Sequence, residues 1–425
     1  MNEESILRAE ALTSFIASSP SPYHVVDNAV SLLEENGFTA LSEGRKFNIE
    51  RGKSYFVTRS SSALIAFRIP ENPACFHIVS AHTDSPCFKI KWNPVVKAQD
   101  MPTRLNVESY GGLLLYTWFD RPLSAAGRVF FSENGEIAER HVDLGERISF
   151  VIPSLCIHQN REANSGWKIS VQKEMLPLFC DSSDENFTAL IAEAAGIAES
   201  DIIDYDLFLY NRTPAFFSGR NREYFSSAKI DDLECAYNAI NALLDSGSNE
   251  YITMVALFDN EETGSGTMQG ALSDFLCNTI TRIALSLGWN EEEKCIALSS
   301  SFMLSADNGH AVHPSYTEKS DVTNRPRMNS GVLLKYASSQ KYTTSGATGA
   351  YARSILERNG IPFQVFYNHS DMPGGSTLGN LSTEKVSIAT CDVGCAQLAM
   401  HSAYETAGTQ DVKHLYDFFR SFFSL

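Results

Sequence analysis

The apolar residues of the chain follow two different periodicities, and their succession predicts an α/β domain that is interrupted by a β-rich segment. Helical spacing at the start predicts one helix over residues 5–18 and a second from about 25 to 36. Short apolar runs then predict strands, and the run at 76–81 ends at His82.

Turn residues and alternating patterns dominate from about residue 93 to residue 224. The segments 128–132 and 136–142 flank a Glu-Asn-Gly turn, which predicts a β-hairpin. Apolar runs at 148–152 and 155–158 predict two further strands. We therefore expect residues 93–224 to form a β-rich insert.

The α/β pattern returns after this segment. The apolar, β-branched run at 251–258 has the length and composition of a buried strand. Near the C-terminus, the pattern predicts a strand at 386–389 that leads into a helix over 393–404. We expect residues 1–92 together with 225–425 to form one α/β domain around the insert.

Composition restricts the kinds of protein this sequence can be. A chain of 425 residues with 43% hydrophobic and 20% charged residues is typical of a folded globular protein with room for two cores. The net charge of −17 disfavours nucleic acids and anionic membranes as partners. The nine cysteines include no Cys-x-x-Cys pair, and no apolar run approaches the ~20 residues of a membrane span. The N-terminus also lacks a signal-peptide pattern, so we expect a cytoplasmic protein.

Several acidic and histidine residues follow the predicted strands or lie at the ends of predicted helices. They are His82, Asp84, Asp231, Glu261, Glu262, Asp307 and His401. Imidazole and carboxylate groups together bind zinc, manganese and cobalt ions. Two such ions about 3.5–4 Å apart need a bridging carboxylate and further ligands for each ion.

This set of residues is large enough for such a two-ion centre. One ion would bind His82 and Asp307, and the other would bind Glu262 and His401. Asp231 would bridge them.

Two acids remain after that assignment. Glu261 would then be free to accept a proton from metal-bound water, and Asp84 would accept the second N–H of the His82 imidazole. Each residue taken alone has a simpler interpretation. The two glutamates could form a solvated turn, Asp231 could cap a helix, Asp307 could lie in a turn, and His401 could face the core.

Six motifs, spread from residue 81 to residue 402, together resemble one known family. They are Ala81-His82-Thr83-Asp84-Ser85-Pro86-Cys87, Lys229-Ile230-Asp231-Asp232-Leu233, Asp259-Asn260-Glu261-Glu262, Ser305-Ala306-Asp307 with His310-Ala311-Val312-His313-Pro314, Gly374-Gly375-Ser376-Thr377-Leu378-Gly379, and Gln397-Leu398-Ala399-Met400-His401-Ser402. On these motifs the chain resembles the M18 aspartyl aminopeptidases, which are dinuclear zinc aminopeptidases.

The resemblance implies a fold, a metal centre and an assembly. The fold would be a mixed-sheet zinc-peptidase domain with helices on both faces, and the insert would serve dimerisation. The cofactors would be two Zn2+ ions, with Co2+ or Mn2+ as alternatives, and the partners would be peptide substrates and copies of the same chain in a dodecamer built from dimers. The implied roles are metal ligands for His82, Asp231, Glu262, Asp307 and His401, the general base for Glu261, and an orienting acid for Asp84.

The resemblance also assigns residues around the substrate. Lys335 and Tyr342 match positions that hold an acidic substrate side chain, and Gly375 and Ser376 belong to the loop that would form the pocket wall. His158 resembles a histidine that reaches the active site of a neighbouring subunit, with direct metal binding as the alternative.

The implied reaction is the release of single N-terminal residues, with Asp and Glu preferred. A broader aminopeptidase for neutral or basic residues is one alternative. A related dinuclear carboxypeptidase or deacylase is a second one, and a metal-holding assembly protein without turnover is a third.

Overall fold

The computed structural model describes residues 2–181, 185–247 and 250–425. The α-helices in these residues are α1 Glu3–Ser18, α2 Pro22–Glu35, α3 Val171–Glu174, α4 Phe187–Ala195, α5 Ile230–Leu244, α6 Phe275–Leu287, α7 Glu291–Ser299, α8 Gly346–Arg358, α9 Leu378–Thr383 and α10 Thr409–Phe423. None of these described helices is both long enough and apolar enough to cross a lipid bilayer.

The same residues form β-strands that are numbered here in chain order. They are β1 Thr39–Leu41, β2 Ser54–Arg59, β3 Ala63–Arg68, β4 Cys75–His82, β5 Cys87–Val96, β6 Thr103–Tyr110, β7 Leu123–Glu133, β8 Glu136–Asp143, β9 Leu178–Cys180, β10 Ile202–Asn211, β11 Phe216–Ser218, β12 Tyr224–Ser227, β13 Tyr251–Phe258, β14 Phe302–Ala306, β15 Gly309–His310, β16 Val332–Lys335, β17 Phe363–Phe366, β18 Ala389–Gly394, β19 Ala396–Leu398 and β20 Glu405–Gly408.

Within the described residues, the central sheet contains nine strands in the order β1-β2-β3-β13-β4-β14-β18-β16-β17. Strands β13, β4, β14 and β18 run parallel to one another in the middle. Antiparallel pairs flank them, because β3 runs against β13 and β16 runs against β18. Phe258 at the end of β13 lies opposite His82 at the end of β4.

Helices cover both faces of this sheet, and the alternation of side chains along β13 explains why. Val255 and Leu257 pack in a core cluster with residues of α2, α5, α8 and α10. Met254 and Ala256 point the other way and pack with residues of α6, α7 and α9. A sheet buried on both faces needs continuous apolar strands. The predicted α/β fold with a mixed sheet and helices on both faces is therefore confirmed.

Two smaller sheets complete the described part of the chain. Six antiparallel strands in the order β8-β7-β10-β5-β6-β9 come from residues 87–211 and enclose their own apolar core. Five strands in the order β11-β12-β20-β19-β15 form the third sheet. The boundary expected at residue 93 falls inside β5, so the six-stranded sheet begins before the segment 93–224.

The hairpin predicted inside this segment is confirmed, with β7 and β8 flanking the turn. The strand predicted at 148–152 is reduced to isolated bridges, such as the pairing of Phe150 with Leu123. The strand predicted at 155–158 is wrong. Leu155 and Ile157 are about half exposed, so no packed face holds this apolar run in a sheet.

The helix predicted over 393–404 is also wrong. Residues 389–394 form β18, which pairs with β14 on one side and β16 on the other. A second strand, β19, and a turn follow. Ala399 and His401 have φ angles of 57° and 65°, which a right-handed helix does not allow. Sheet pairing therefore overrides the helical spacing of the apolar residues in this segment.

Candidate metal centre

The candidate centre lies at the carboxyl ends of three adjacent parallel strands. His82 ends β4, the segment 259–262 follows Phe258 of β13, and Asp307 follows Ala306 of β14. Because these strands are parallel neighbours, their ends meet at one edge of the sheet. The apolar strands therefore bring three polar segments, distant in sequence, to the same place.

His82 is held so that one ring nitrogen faces the centre. Its Nδ1 lies 3.0 Å from the backbone oxygen of Asp84 and 3.3 Å from the Asp84 Oδ1 atom. A carbonyl oxygen only accepts, so Nδ1 is the donor in that contact and Nε2 is the ring nitrogen that faces the centre. Nε2 lies 3.4 Å from Asp231 Oδ1. This is the orientation that a metal-binding histidine requires.

His401 has the same arrangement on the opposite side of Asp231. It lies in the turn between β19 and β20, and its Nδ1–H donates to the backbone oxygen of Gly112 over 2.8 Å. Its Nε2 lies 3.4 Å from Glu262 Oε2 and 3.7 Å from Asp231 Oδ2. The two oxygens of Asp231 therefore face two different histidines.

Asp231 is shared by two groups of candidate ligands, and within each group the donor atoms lie within 4.8 Å of one another. One group is His82, Asp231, Asp232 and Asp307, and the other is Asp231, Glu262 and His401. The Oδ1 atom of Asp231 is buried and receives no hydrogen bond from the residues that the structure describes. A buried carboxylate oxygen without a donor is unfavourable, and a cation would satisfy it. The residues therefore fit divalent metal ions.

Asp84 connects three members of the centre. In addition to facing the His82 ring, its Oδ1 accepts the backbone N–H of Glu261 and its Oδ2 accepts that of Glu262, each over 3.1 Å. The hydroxyl of Tyr110, at the end of β6, also donates to Oδ2 over 2.7 Å. The Asp84 carboxylate thus fixes the backbone that carries both glutamates.

Glu405 has a similar role that the sequence did not reveal. This buried side chain accepts the backbone N–H of Asp231 over 3.0 Å and that of His401 over 2.8 Å. Asp232 was also missed as part of the site, although it directly follows Asp231 in a motif. It accepts the backbone N–H of His82 over 3.2 Å. Adjacency to Asp231 was the available signal for Asp232, whereas Glu405 gave none.

Burial and mutual repulsion control the protonation of these acids. Burial, together with the nearby carboxylates of Asp307 and Asp84, raises the pKa of Glu261 to about 8. Burial and the charge of Asp231 raise the pKa of Glu262 well above its usual value. Burial alone would lower the pKa of His82, but the nearby carboxylates of Asp231 and Asp84 outweigh burial and raise it. Without cations, the centre therefore favours bound protons.

Lys335 lies next to Asp307. Its buried ammonium donates to the Asp307 backbone oxygen over 2.9 Å, to Asp307 Oδ2 over 3.0 Å and to the Asn308 backbone oxygen over 3.0 Å. These contacts use its three N–H groups. The Tyr342 ring lies 4.9 Å from the same ammonium, and its hydroxyl accepts from Asn368.

The other sequence-predicted residues lie in loops. His158 is exposed in the turn after residue 155 and joins none of the candidate ligand groups formed by the described residues. Gly375 and Ser376 are exposed in the loop before α9. Gly375 lines an open cavity of about 390 Å³ together with Lys341 and Asn368.

Comparisons of the sequence with known proteins agree with this geometry. The family described as aminopeptidase I zinc metalloprotease (M18) matches residues 15–423. A probable M18 family aminopeptidase 2 of Clostridium acetobutylicum is 42% identical over 426 residues, covering 98% of both chains. A protein of the same description from Stutzerimonas stutzeri is 37% identical, covering 98% of this chain and 97% of its own.

Solved structures show the same fold. A chain in the cryo-EM structure of the Ape4 and Nbr1 complex superposes with a TM-score of 0.94 at 33% identity, covering all of this chain and 87% of that one. The M18 aminopeptidase of Thermotoga maritima superposes with a TM-score of 0.88 at 25% identity, covering 100% of this chain and 97% of that one. A chain of the S. cerevisiae mApe1 dodecamer superposes with a TM-score of 0.86 at 25% identity, covering 99% of this chain and 97% of that one. The chain belongs to the M18 family of zinc aminopeptidases.

Proposed function

We propose that this aminopeptidase releases single N-terminal residues by hydrolysis at a centre of two divalent cations that share Asp231. His82 and Asp307 would hold one cation, and Glu262 and His401 would hold the other. The observation that carries the proposal is the pair of donor groups with Asp231 in common. Zinc is the expected metal, with Co2+ or Mn2+ as alternatives.

Glu261 is the proposed general base. When bound, the cations would polarise the scissile carbonyl and acidify a water molecule. Among the described residues, no side chain donates a hydrogen bond to the Glu261 carboxylate, so its oxygens are free to accept a proton. Bound cations would lower the pKa of this carboxyl group and would keep Glu261 ionised near neutral pH. Glu261 then takes the proton of the attacking water and passes it to the leaving amine.

Replacing Glu261 by glutamine tests this role. Glu261→Gln removes the proton acceptor but none of the proposed ligands, so kcat should fall by about 100-fold to 10,000-fold. Zinc per chain should stay unchanged by elemental analysis. Glu318→Gln, the same substitution at an exposed position, is the control and should be fully active. Retained turnover in Glu261→Gln would exclude Glu261 as the base.

Thermal unfolding at different pH values tests the metal centre. The raised pKa values of Glu261, Glu262 and His82 mean that bound protons stabilise the metal-free fold at low pH. This stabilisation is lost as pH rises through the raised values, about 8 for Glu261. The Tm of chelator-treated protein should therefore fall between about pH 5.5 and about pH 8.5.

Bound zinc replaces those protons, so the Tm of the zinc-loaded protein should fall less over the same range. The gap between the two Tm values is expected to widen with pH at constant ionic strength. Parallel curves would contradict the assignment of these acids to the metal centre.

The proposal also covers the N-terminal residue that the enzyme prefers in its peptide substrates. Lys335 is the proposed cation for an Asp or Glu side chain, with Tyr342 beside it. Its hydrogen bond to Asp307 Oδ2 favours a second candidate, an aminopeptidase without acidic preference, because that bond already neutralises the ammonium. In the first candidate, a substrate carboxylate replaces Asp307 Oδ2 as the partner of Lys335.

A panel of Asp-, Glu-, Leu- and Lys-anilides separates the two candidates. If Lys335 binds the substrate, Lys335→Ala should raise KM for the Asp- and Glu-anilides. The ratio of their kcat/KM to that of Leu-anilide should then decrease. If Lys335 only positions Asp307, the variant should lose zinc, and its hydrolysis of all four anilides should slow by the same factor. Lys319→Ala, the same substitution at an exposed lysine outside the segments assigned to the substrate, is the control and should behave as wild type.

We also propose that the chain forms a homo-oligomer in which His158 reaches the active site of a neighbouring subunit. The S. cerevisiae mApe1 relative is a dodecamer by its description. Leu155 and Ile157, next to His158, are 50% and 48% exposed, and large apolar side chains exposed together are typical of an interface.

Mixed oligomers test the role of His158. Glu261→Gln and His158→Ala chains are each expected to be inactive alone. Co-expressed, they should recover part of the activity, because an intact His158 can serve a site with an intact Glu261. Co-expression of Glu261→Gln with Asp307→Ala is the control. It should recover no activity if each substitution disables the active site of the chain that carries it. No recovery in the first mixture would contradict the inter-subunit arrangement.

A further inference from the structure

A buried carboxylate outside the proposed ligand set links the two segments assigned to the substrate pocket. Asp392 lies in β18, is completely buried, and is paired with Lys335 across the ladder to β16. Its Oδ2 accepts the backbone N–H of Thr343 over 2.6 Å and the Thr343 hydroxyl over 2.5 Å. Its Oδ1 accepts the hydroxyl of Thr377.

These hydrogen bonds hold two separate loops. Thr343 directly follows Tyr342, whose ring contacts the Lys335 ammonium. Thr377 directly follows the exposed Ser376. Hydrogen bonds to an ionised carboxylate are stronger than those between neutral groups, and burial strengthens them further. One side chain thus fixes the distance between the two loops.

The first turn of α9, directly after Thr377, also packs tightly onto Asp392. A Cβ atom added to Gly379 would lie 3.0 Å from Asp392 Oδ1 and 3.0 Å from the Cβ of Ser305. Ser305 belongs to β14, two residues before Asp307. The start of α9, which directly follows Thr377, is therefore placed against the strand that leads into the candidate metal centre.

We propose that Asp392 is a specificity-determining positioning residue, which clamps the Tyr342 loop and the Gly375–Ser376 loop into one substrate pocket. This inference rests on the aminopeptidase function proposed above. Among the described residues, Asp392 makes no hydrogen bond to a proposed metal ligand. Its loss should therefore change substrate binding without removing metal.

Three variants test the clamp. Thr377→Val removes one hydroxyl donor with little change of shape, Thr343→Val removes a second one, and Asp392→Asn removes the charge. Each should raise KM for the preferred aminoacyl-anilide by about tenfold and leave kcat much less affected. The ratio of kcat/KM between Asp- and Leu-anilide should move toward one, with zinc per chain unchanged.

Two matched variants serve as controls. Thr377→Ser keeps the hydroxyl and should restore the wild-type KM. Thr383→Val, in α9, removes a hydroxyl whose one hydrogen bond within the described residues is to the Asn380 backbone oxygen, and it should behave as wild type. Wild-type KM and selectivity in both Thr377→Val and Asp392→Asn would overturn the proposal. Equal losses of kcat and zinc would also overturn it, since they indicate a role in the metal centre.

Hydrogen exchange provides a readout that needs no turnover. Amide exchange in residues 372–378 should be faster in Thr377→Val than in Thr383→Val. Unchanged exchange there would contradict the clamp. If the zinc-loaded wild-type protein hydrolysed no aminoacyl-anilide, the proposed function would fail, and the exchange result would still decide whether Asp392 holds the loops together.

Discussion

Mutual repulsion among buried carboxylates is the interaction on which the rest of the structure depends. Asp231 and Asp232 are nearly inaccessible to water, and Glu262 and Asp307 are close to them. Lys335 offsets the charge of Asp307, but no described residue donates a hydrogen bond to Asp231 Oδ1. Such a cluster is stable only when protons or cations neutralise it. The apolar strands that end here supply the packing that holds the acids together against this repulsion.

Backbone donors, rather than flexible side chains, hold the ligands in position. The Asp84 carboxylate accepts the N–H groups of Glu261 and Glu262, and the Glu405 carboxylate accepts those of Asp231 and His401. Each acid therefore fixes two residues that are needed at the centre. These bonds do not involve a cation, so the chain itself sets the geometry of the candidate ligands. Such preorganisation is what an active site requires for efficient catalysis.

The sequence predicted the features that local patterns determine. The strand 251–258 was predicted with its observed bounds, because a continuous apolar run before Asp259 has one plausible structure. The sequence also indicated that His82 would lie at the end of a strand. It failed around His401, where positive φ angles and sheet pairing replace the expected helix. The hydrogen bond between Asp231 and Glu405 spans 174 positions and that between Lys335 and Asp307 spans 28, and no local pattern encodes either of them.

The six-stranded sheet contributes directly to the candidate metal centre. It does more than occupy the stretch of sequence between two parts of the central sheet. Tyr110, at the end of β6, donates to Asp84, and the next residues approach the ligands closely. Gly111 has a φ of 75°, and a Cβ there would lie 3.1 Å from the Cβ of Glu262. Gly112 supplies the oxygen that orients His401. Without this sheet, His401 Nδ1 would have no fixed acceptor. The six-stranded sheet and the central sheet therefore form the candidate centre together.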